Sequence, residues 1–326
     1  MEKPITLAII YKKSYNYFQP EHFDRTTYDF FMVALKRNPR LKISYYPSEN
    51  FFDVEKLRGK TDSILLTNNL IDGTPNELRN IRKLEIPVIS RTGDPHNAKK
   101  YDQEKFDDKW KIDYYFGAIP KSYFYKFYPK NFKFKEIVFG LEPDKYNNLK
   151  LFDERIKSRI LNSGVIGRTN LKSRIANAIL NPKRSGWYFY KLRTMCNSLE
   201  YVDYRGMKGK QYEFKDYPTY LSQYQTAIAA TTFYPTQKYW EIPAAGCLTF
   251  MEMTDQNDGG FLGFRDGINS IFINENNYEK KFQEYLNDSQ NSKWKDIANS
   301  GKEYVMKNLT NDHAVNSLIQ IMDELI

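Results

Sequence analysis

The sequence predicts an α/β protein made of two Rossmann-like domains with a deep cleft between them. Three observations carry that prediction. The chain has 326 residues, more than one hydrophobic core organises at about 150 residues per domain. Residues 1–90 alternate short apolar runs with helix-like runs, and residues 155–326 repeat the alternation. Strand–helix alternation with short connections is the signature of parallel, doubly wound sheets. We place the boundary between residues 154 and 155, with the last helix a candidate to cross back to the first domain.

In the first half, Ile5–Tyr11, Leu41–Tyr46, Ser63–Thr67 and Ile86–Ser90 read as strands. Thr26–Arg37 reads as a helix because Phe30, Val33, Ala34 and Arg37 recur at helical spacing. Pro75–Leu84 also reads as helical, with Thr74 or Asn76 near its cap. Ligands of such sheets bind beyond the carboxyl ends of the strands, so the RTGDPH run after the fourth strand is a candidate site. Asp94 or His96 there is placed to act as a general base. The same residues also suit a Gly-Asp-Pro turn chosen for its backbone alone. His22, beside Glu21 and Asp24, is a second candidate.

Residues 121–135 interleave lysines with tyrosines and phenylalanines. We read them as a surface helix whose rings pack on the sheet; contact with an acceptor or an anionic membrane surface is the alternative. Leu141–Tyr146 reads as the exit from the first domain and Asn147–Ser158 as a charged linker.

In the second half, strand Ile160–Ile166 runs through a turn at Gly167, Arg168, Thr169 and Asn170 into helix Leu171–Leu180. A helix N-terminus with Arg168, Lys172 and Arg174 around it suits a diphosphate. Helix Tyr188–Cys196, strand Leu199–Tyr204, helix Tyr217–Tyr224 and strand Thr226–Thr231 follow. The run TFYPTQKYWEIPAAGCLTFME, Thr232–Glu252, then reads as a loop, a short helix ending near Gly246 and a buried strand. With Pro243 in the first helical turn, Glu241 falls at the helix start. A carboxylate there accepts hydrogen bonds from a diol such as a ribose, or merely complements the helix dipole. A turn at Asp266–Gly267, strand Ser270–Ile273 and helices Tyr278–Leu286, Lys293–Asn308 and Asn311–Leu325 complete the chain.

Hydrophobic residues at 41% and charged residues at 27% argue against disorder and against a membrane-spanning protein. Cys196 and Cys247, far apart and in apolar or mixed segments, read as reduced, buried thiols of a cytoplasmic protein. Of the net charge of +9, +7 lies in residues 1–150, an excess that attracts phosphate, anionic lipid or nucleic acid.

Taken in order, VIGR (Val165–Arg168), YWEIPAAGCLTF (Tyr239–Phe250), FRDGINSIFI (Phe264–Ile273) and IANSGKEYV (Ile297–Val305) resemble the nucleotide-sugar-binding domain of GT-B glycosyltransferases, in particular the group-1-like families. The resemblance implies an N-terminal acceptor domain and a C-terminal donor domain. It implies that Glu241 binds the donor ribose, with Ala245 and Gly246 as the small residues beside it. Arg168 and Lys172 then hold the diphosphate, and Gly167 and Lys238 join the donor-binding set. Many retaining members carry a second glutamate eight positions before the ribose one; here that position is Phe233.

The expected function is transfer of a sugar from a nucleoside-diphosphate sugar to the hydroxyl of a glycan, lipid-linked glycan or small molecule. No cofactor and no metal are expected. Peripheral membrane contact through 121–135 is the further partner weighed, and nucleic acid is not an expected one. The alternatives are an epimerase or phosphorylase of the same fold, or a non-catalytic binding protein.

Overall fold

A computed structural model describes residues 3–15, 27–68, 73–93, 109–180, 186–205 and 216–326. Two compact units divide the chain, one formed by Met1–Glu142 with Asn311–Ile326, the other by Pro143–Thr310.

Unit 1 is built on a six-stranded, all-parallel sheet. Its strands are β1 (Ile5–Lys12), β2 (Leu41–Ser48), β4 (Ser63–Leu66), β6 (Val88–Arg91), β7 (Tyr114–Gly117) and β8 (Phe134–Glu136), in the order β2-β1-β4-β6-β7-β8. Continuous apolar runs such as SILL in β4, buried throughout, are what a strand covered on both faces requires. Helix α1 (Thr27–Arg37) and the last helix, Asn311–Leu325, share one core with the sheet. In it Leu7, Ile9, Phe31, Leu65, Ile89 and Phe116 meet Val315, Leu318, Ile321 and Met322. Arg37 closes the edge of this core, pairing with Glu142 and, through Nη2, with Asp312 Oδ2 at 2.7 Å.

Two sequence expectations fail in unit 1. Pro75–Leu84 is not a helix: Glu77–Arg79 is strand β5, paired in parallel with β3 (Phe51–Asp53), and only Ile81–Lys83 makes a 3-10 turn. Asn80, left-handed at φ 63°, breaks the segment and donates to Asp53 Oδ1 at 2.9 Å, a bond absent from the local sequence pattern. Residues 121–135 are not one helix either. Helix α2 is confined to Lys121–Phe124, and the segment turns back into β8. The rings do pack inward: Phe124 stacks on Tyr128 at 4.2 Å and on Phe134 at 4.1 Å.

Unit 2 carries a five-stranded parallel sheet in the order β10-β9-β11-β12-β13. The strands are β9 (Ile160–Ser163), β10 (Val202–Arg205), β11 (Thr226–Ala229), β12 (Leu248–Glu252) and β13 (Ile271–Ile273). The helices are α3 (Leu171–Leu180), α4 (Gly186–Phe189), α5 (Lys191–Cys196), α6 (Tyr217–Leu221), α7 (Lys238–Ala244), α8 (Tyr278–Leu286) and α9 (Ser292–Asn308); α10 is the Asn311–Leu325 helix of unit 1. The expected helix over Tyr188–Cys196 is split at Tyr190. Phe250 and Leu248 of β12 pack with Phe282, Tyr285, Trp294 and Ala298 of α8 and α9.

Candidate functional site

A sheet that winds outward in both directions from one strand leaves a crevice at the carboxyl ends of the two strands where the order reverses. In unit 2 those strands are β9 and β11, with β10 on one side and β12 and β13 on the other. Arg193 of α5 ties the two ends together. Its Nη1 donates to Val165 O at 3.1 Å and its Nη2 to Ala230 O at 2.6 Å. The guanidinium is almost fully buried, and its Nε has no partner among the described residues.

Helix α7 starts at this edge. Tyr239 and Trp240, 0% and 1% exposed, anchor it, because aromatic side chains bury large apolar surface and their polar tips need partners. The Tyr239 hydroxyl supplies such a tip: it donates to Glu252 O at 3.0 Å and accepts from Thr231 N at 3.1 Å, clamping the ends of β12 and β11. The C-terminus closes in a Schellman turn. Gly246 N donates to Pro243 O, Cys247 N donates to Ile242 O, and Gly246 takes φ +72°. Arg155 Nη1 seals the turn with a bond to Gly246 O at 2.9 Å.

The helix therefore begins earlier than the position of Pro243 suggested. Lys238 is its first residue, Glu241 its fourth, and Pro243 lies inside it. The proline withholds an N–H from the Tyr239 carbonyl, and the packing of the two aromatic residues overrides that loss.

Half-buried Lys238 and buried Glu241 lie one turn apart and are treated very differently by their surroundings. Lys238 Nζ donates to Tyr217 OH at 2.7 Å and to Ser163 Oγ at 3.2 Å, and the two hydroxyls lie 2.9 Å apart. Burial lowers the Lys238 pKa, the Arg193 charge lowers it further, and Glu241 opposes both. The Glu241 carboxyl, in a residue 7% exposed, accepts no hydrogen bond and makes no ion pair among the described residues. Burial raises its pKa, against the pull of Lys238. Its charge also helps to raise the pKa of two buried phenols, Tyr146 and Tyr217, after burial itself.

Gly164 admits this arrangement. It takes φ +103°, and a Cβ built on it would lie 2.7 Å from Lys238 Cε and 3.0 Å from Arg193 Nη1. A side chain there would displace the lysine stem.

The sequence-predicted residues fall in different places. Lys238 and Glu241 stand at the switch-point edge. Gly167 is buried, its amide donating to Thr194 Oγ1 at 2.8 Å and its Cα face against the Gly186–Trp187 backbone. Arg168 and Lys172 are exposed, and Asn170 caps α3 through a bond from Lys172 N at 2.9 Å. Ala245 and Gly246 are buried at the closed end of α7. Phe233 sits in an aromatic cluster, 4.4 Å from the Tyr188 ring and 5.4 Å from Phe189. Asp266 caps a turn, accepting from Phe272 N at 2.7 Å. Asp94, His96 and His22 lie outside the described residues.

Sequence reasoning missed Ser163, Tyr217 and Arg193. Ser163 lay inside the strand expected over Ile160–Ile166, which in the structure ends at Ser163, and the glycine that follows it is a signal shared with many turns; Tyr217 and Arg193 carried none. Glu252, at the end of β12, was also missed: it is 4% exposed, and its Oε2 has no partner among the described residues. Burial pushes its carboxyl up to about 7, with Arg193 pulling the other way. Among the described residues, no group of three or more His, Cys, Asp or Glu side chains has the arrangement of a metal site.

No family model matches the sequence. No curated protein matches it either. Solved structures do match, along nearly the whole chain. Anabaena HepE in complex with UDP aligns with a TM-score of 0.56 at 9% identity, over 98% of this chain and 100% of that one. A glycosyltransferase from Rickettsia africae aligns at 0.57 and 11% identity, over 99% of both chains. Sucrose-phosphate synthase from Thermosynechococcus elongatus aligns at 0.54 and 13% identity, over 99% of both chains. The chain has the GT-B fold of these enzymes, with two Rossmann-like units.

Proposed function

We propose that the protein is a glycosyltransferase that holds a nucleoside-diphosphate sugar at the switch-point edge of unit 2 and passes the sugar to an acceptor hydroxyl. One observation carries this reading: Glu241 is a buried carboxyl without a hydrogen-bond partner among the described residues, at the strand edge where such folds take nucleotides. Its oxygens are not among the fully buried unpartnered atoms, so they remain open to a ligand, and a ribose diol supplies two O–H donors. The GT-B fold, shared with a HepE structure that contains UDP, supports the same ligand class.

In this reading Glu241 takes the ribose, and Lys238, Arg168 and Lys172 face the diphosphate with the N-terminus of α3. Their charge would stabilise the departing nucleoside diphosphate, a task that preorganised cations perform without a metal. Gly167, Ala245 and Gly246 keep the loop and helix in place around these groups. Asp94 or His96 is assigned as the base on the acceptor hydroxyl if transfer inverts configuration; if it retains, the leaving phosphate assists.

Product assays with a panel of nucleotide sugars test the proposal, comparing wild type with Glu241→Ala and Asp94→Ala. We expect donor binding to weaken at least tenfold in the first, and turnover to fall with donor affinity kept in the second. Unimpaired transfer by both variants would sink the site assignment. Turnover of a nucleotide sugar without an acceptor would instead indicate an epimerase.

A further inference from the structure

Ser163, Tyr217 and Lys238 form a closed triangle of hydrogen bonds, with edges of 2.7, 3.2 and 2.9 Å. An ammonium has three N–H donors and each hydroxyl one O–H. Within the triangle the ammonium uses two donors on the hydroxyls, and one hydroxyl donates to the other. One N–H and one O–H remain, and no acceptor among the described residues takes either. Lys238 and Tyr217 are half-buried, so these two donors are open to water or to a ligand with acceptor oxygens.

The triangle does not look like a device for burying a lysine in the core. A carboxylate on a neighbouring element would do that directly, and Glu241, one turn along α7, makes no ion pair with it. The position is also specific. Ser163 ends β9, Gly164 clears space for the Lys238 stem, and Arg193 fixes the adjoining carbonyls of Val165 and Ala230. One surplus N–H on the cation and one surplus O–H on a hydroxyl, beside an unpaired carboxyl, form a pair of complementary demands. The donors suit a group rich in anionic oxygens; the carboxyl suits vicinal hydroxyls. A nucleoside phosphate joins both in one molecule.

We propose that Ser163 and Tyr217, with Lys238, form a phosphate subsite, the two hydroxyls orienting the ammonium and one of them donating to a phosphate oxygen. This rests on the donor reading above and adds two residues to it. Arg168 and Lys172, being exposed, then serve the outer part of the diphosphate.

Isothermal titration of wild type, Tyr217→Phe and Ser163→Ala with UDP, GDP, ADP and CDP, and with the matching nucleosides, tests the proposal. The phenylalanine variant keeps the ring and removes only the hydroxyl. We expect one diphosphate to bind wild type. Both variants should bind it roughly tenfold more weakly while binding the parent nucleoside as wild type does. Equal diphosphate affinity in wild type and both variants would overturn the phosphate subsite and leave the donor reading standing. Equal loss of nucleoside and diphosphate affinity would also overturn it, by making the triangle a structural element. Failure of wild type to bind any nucleoside diphosphate would overturn the donor reading and the subsite together. Ser163→Ala keeps the test open if Tyr217→Phe does not fold.

Discussion

Lys238 and Glu241 sit three positions apart on one helix, and among the described residues the ammonium has two hydroxyl partners and the carboxyl none. A side chain held raised in pKa by burial ionises fully only when a ligand, or a higher pH, favours the charge.

The affinity of wild type for a nucleoside diphosphate should therefore rise with pH up to neutrality, because diol recognition uses the ionised carboxyl, and fall again above about 8 as the Lys238 ammonium loses its proton. Glu241→Gln should bind more weakly and lose this component of the pH dependence. Titrations of the two proteins across pH 5.5–8.5, compared as a difference, separate the carboxyl from the ligand's own phosphate titration.

Glu252 makes a separate prediction about stability. Its carboxyl keeps its proton in the folded protein up to about 7, against 4.5 for the ordinary group. The folded state thus binds more protons than the unfolded chain between those values. Its contribution is fully present below the lower value and is lost as pH rises through the upper one. Glu252→Gln should flatten that slope and stabilise the protein at pH 8, by roughly 1–3 kcal/mol. Urea unfolding at pH 5 and pH 8 measures it; an unchanged slope in the variant would refute the assignment.

At Gly164 an alanine should cost roughly 1–3 kcal/mol, through its positive φ and the contact with the Lys238 stem. It should also weaken diphosphate binding, since the stem must move. Thermal denaturation and ligand titration of Gly164→Ala read the two effects separately.

Phe233→Ala should destabilise by about 3–5 kcal/mol, the usual cost of removing a packed phenyl ring, because the ring lies against Tyr188 and Phe189. Phe233→Leu should lose much less. If Phe233→Ala unfolds at the wild-type denaturant midpoint, the ring is not part of the core.

Much of the architecture was legible because period and burial agree. The runs of β1 and β4 are largely apolar without alternation, as a sheet covered on both faces demands, and helices α3, α8 and α10 have the predicted boundaries. The errors fall where long-range contacts decide. Residues 77–79 become a strand by pairing with 51–53, and α7 begins at Lys238 because Tyr239 and Trp240 must be buried. At the site, Glu241 was legible by its place in a motif. Tyr217 was not: the hydroxyl that meets Lys238 is 21 residues away in sequence, and a phenol at a helix start signals nothing by itself.

The core of unit 1 includes Val315, Leu318, Ile321 and Met322 from α10, and its edge pair Arg37–Asp312 spans the length of the chain. During synthesis on the ribosome, residues 1–142 emerge long before these partners exist. Residues 143–310 meet no such delay, since their sheet and core are drawn from one continuous segment. The order of translation is thus the reverse of the order of completion: the segment made second is the first able to finish its core, and the segment made first waits for the last helix.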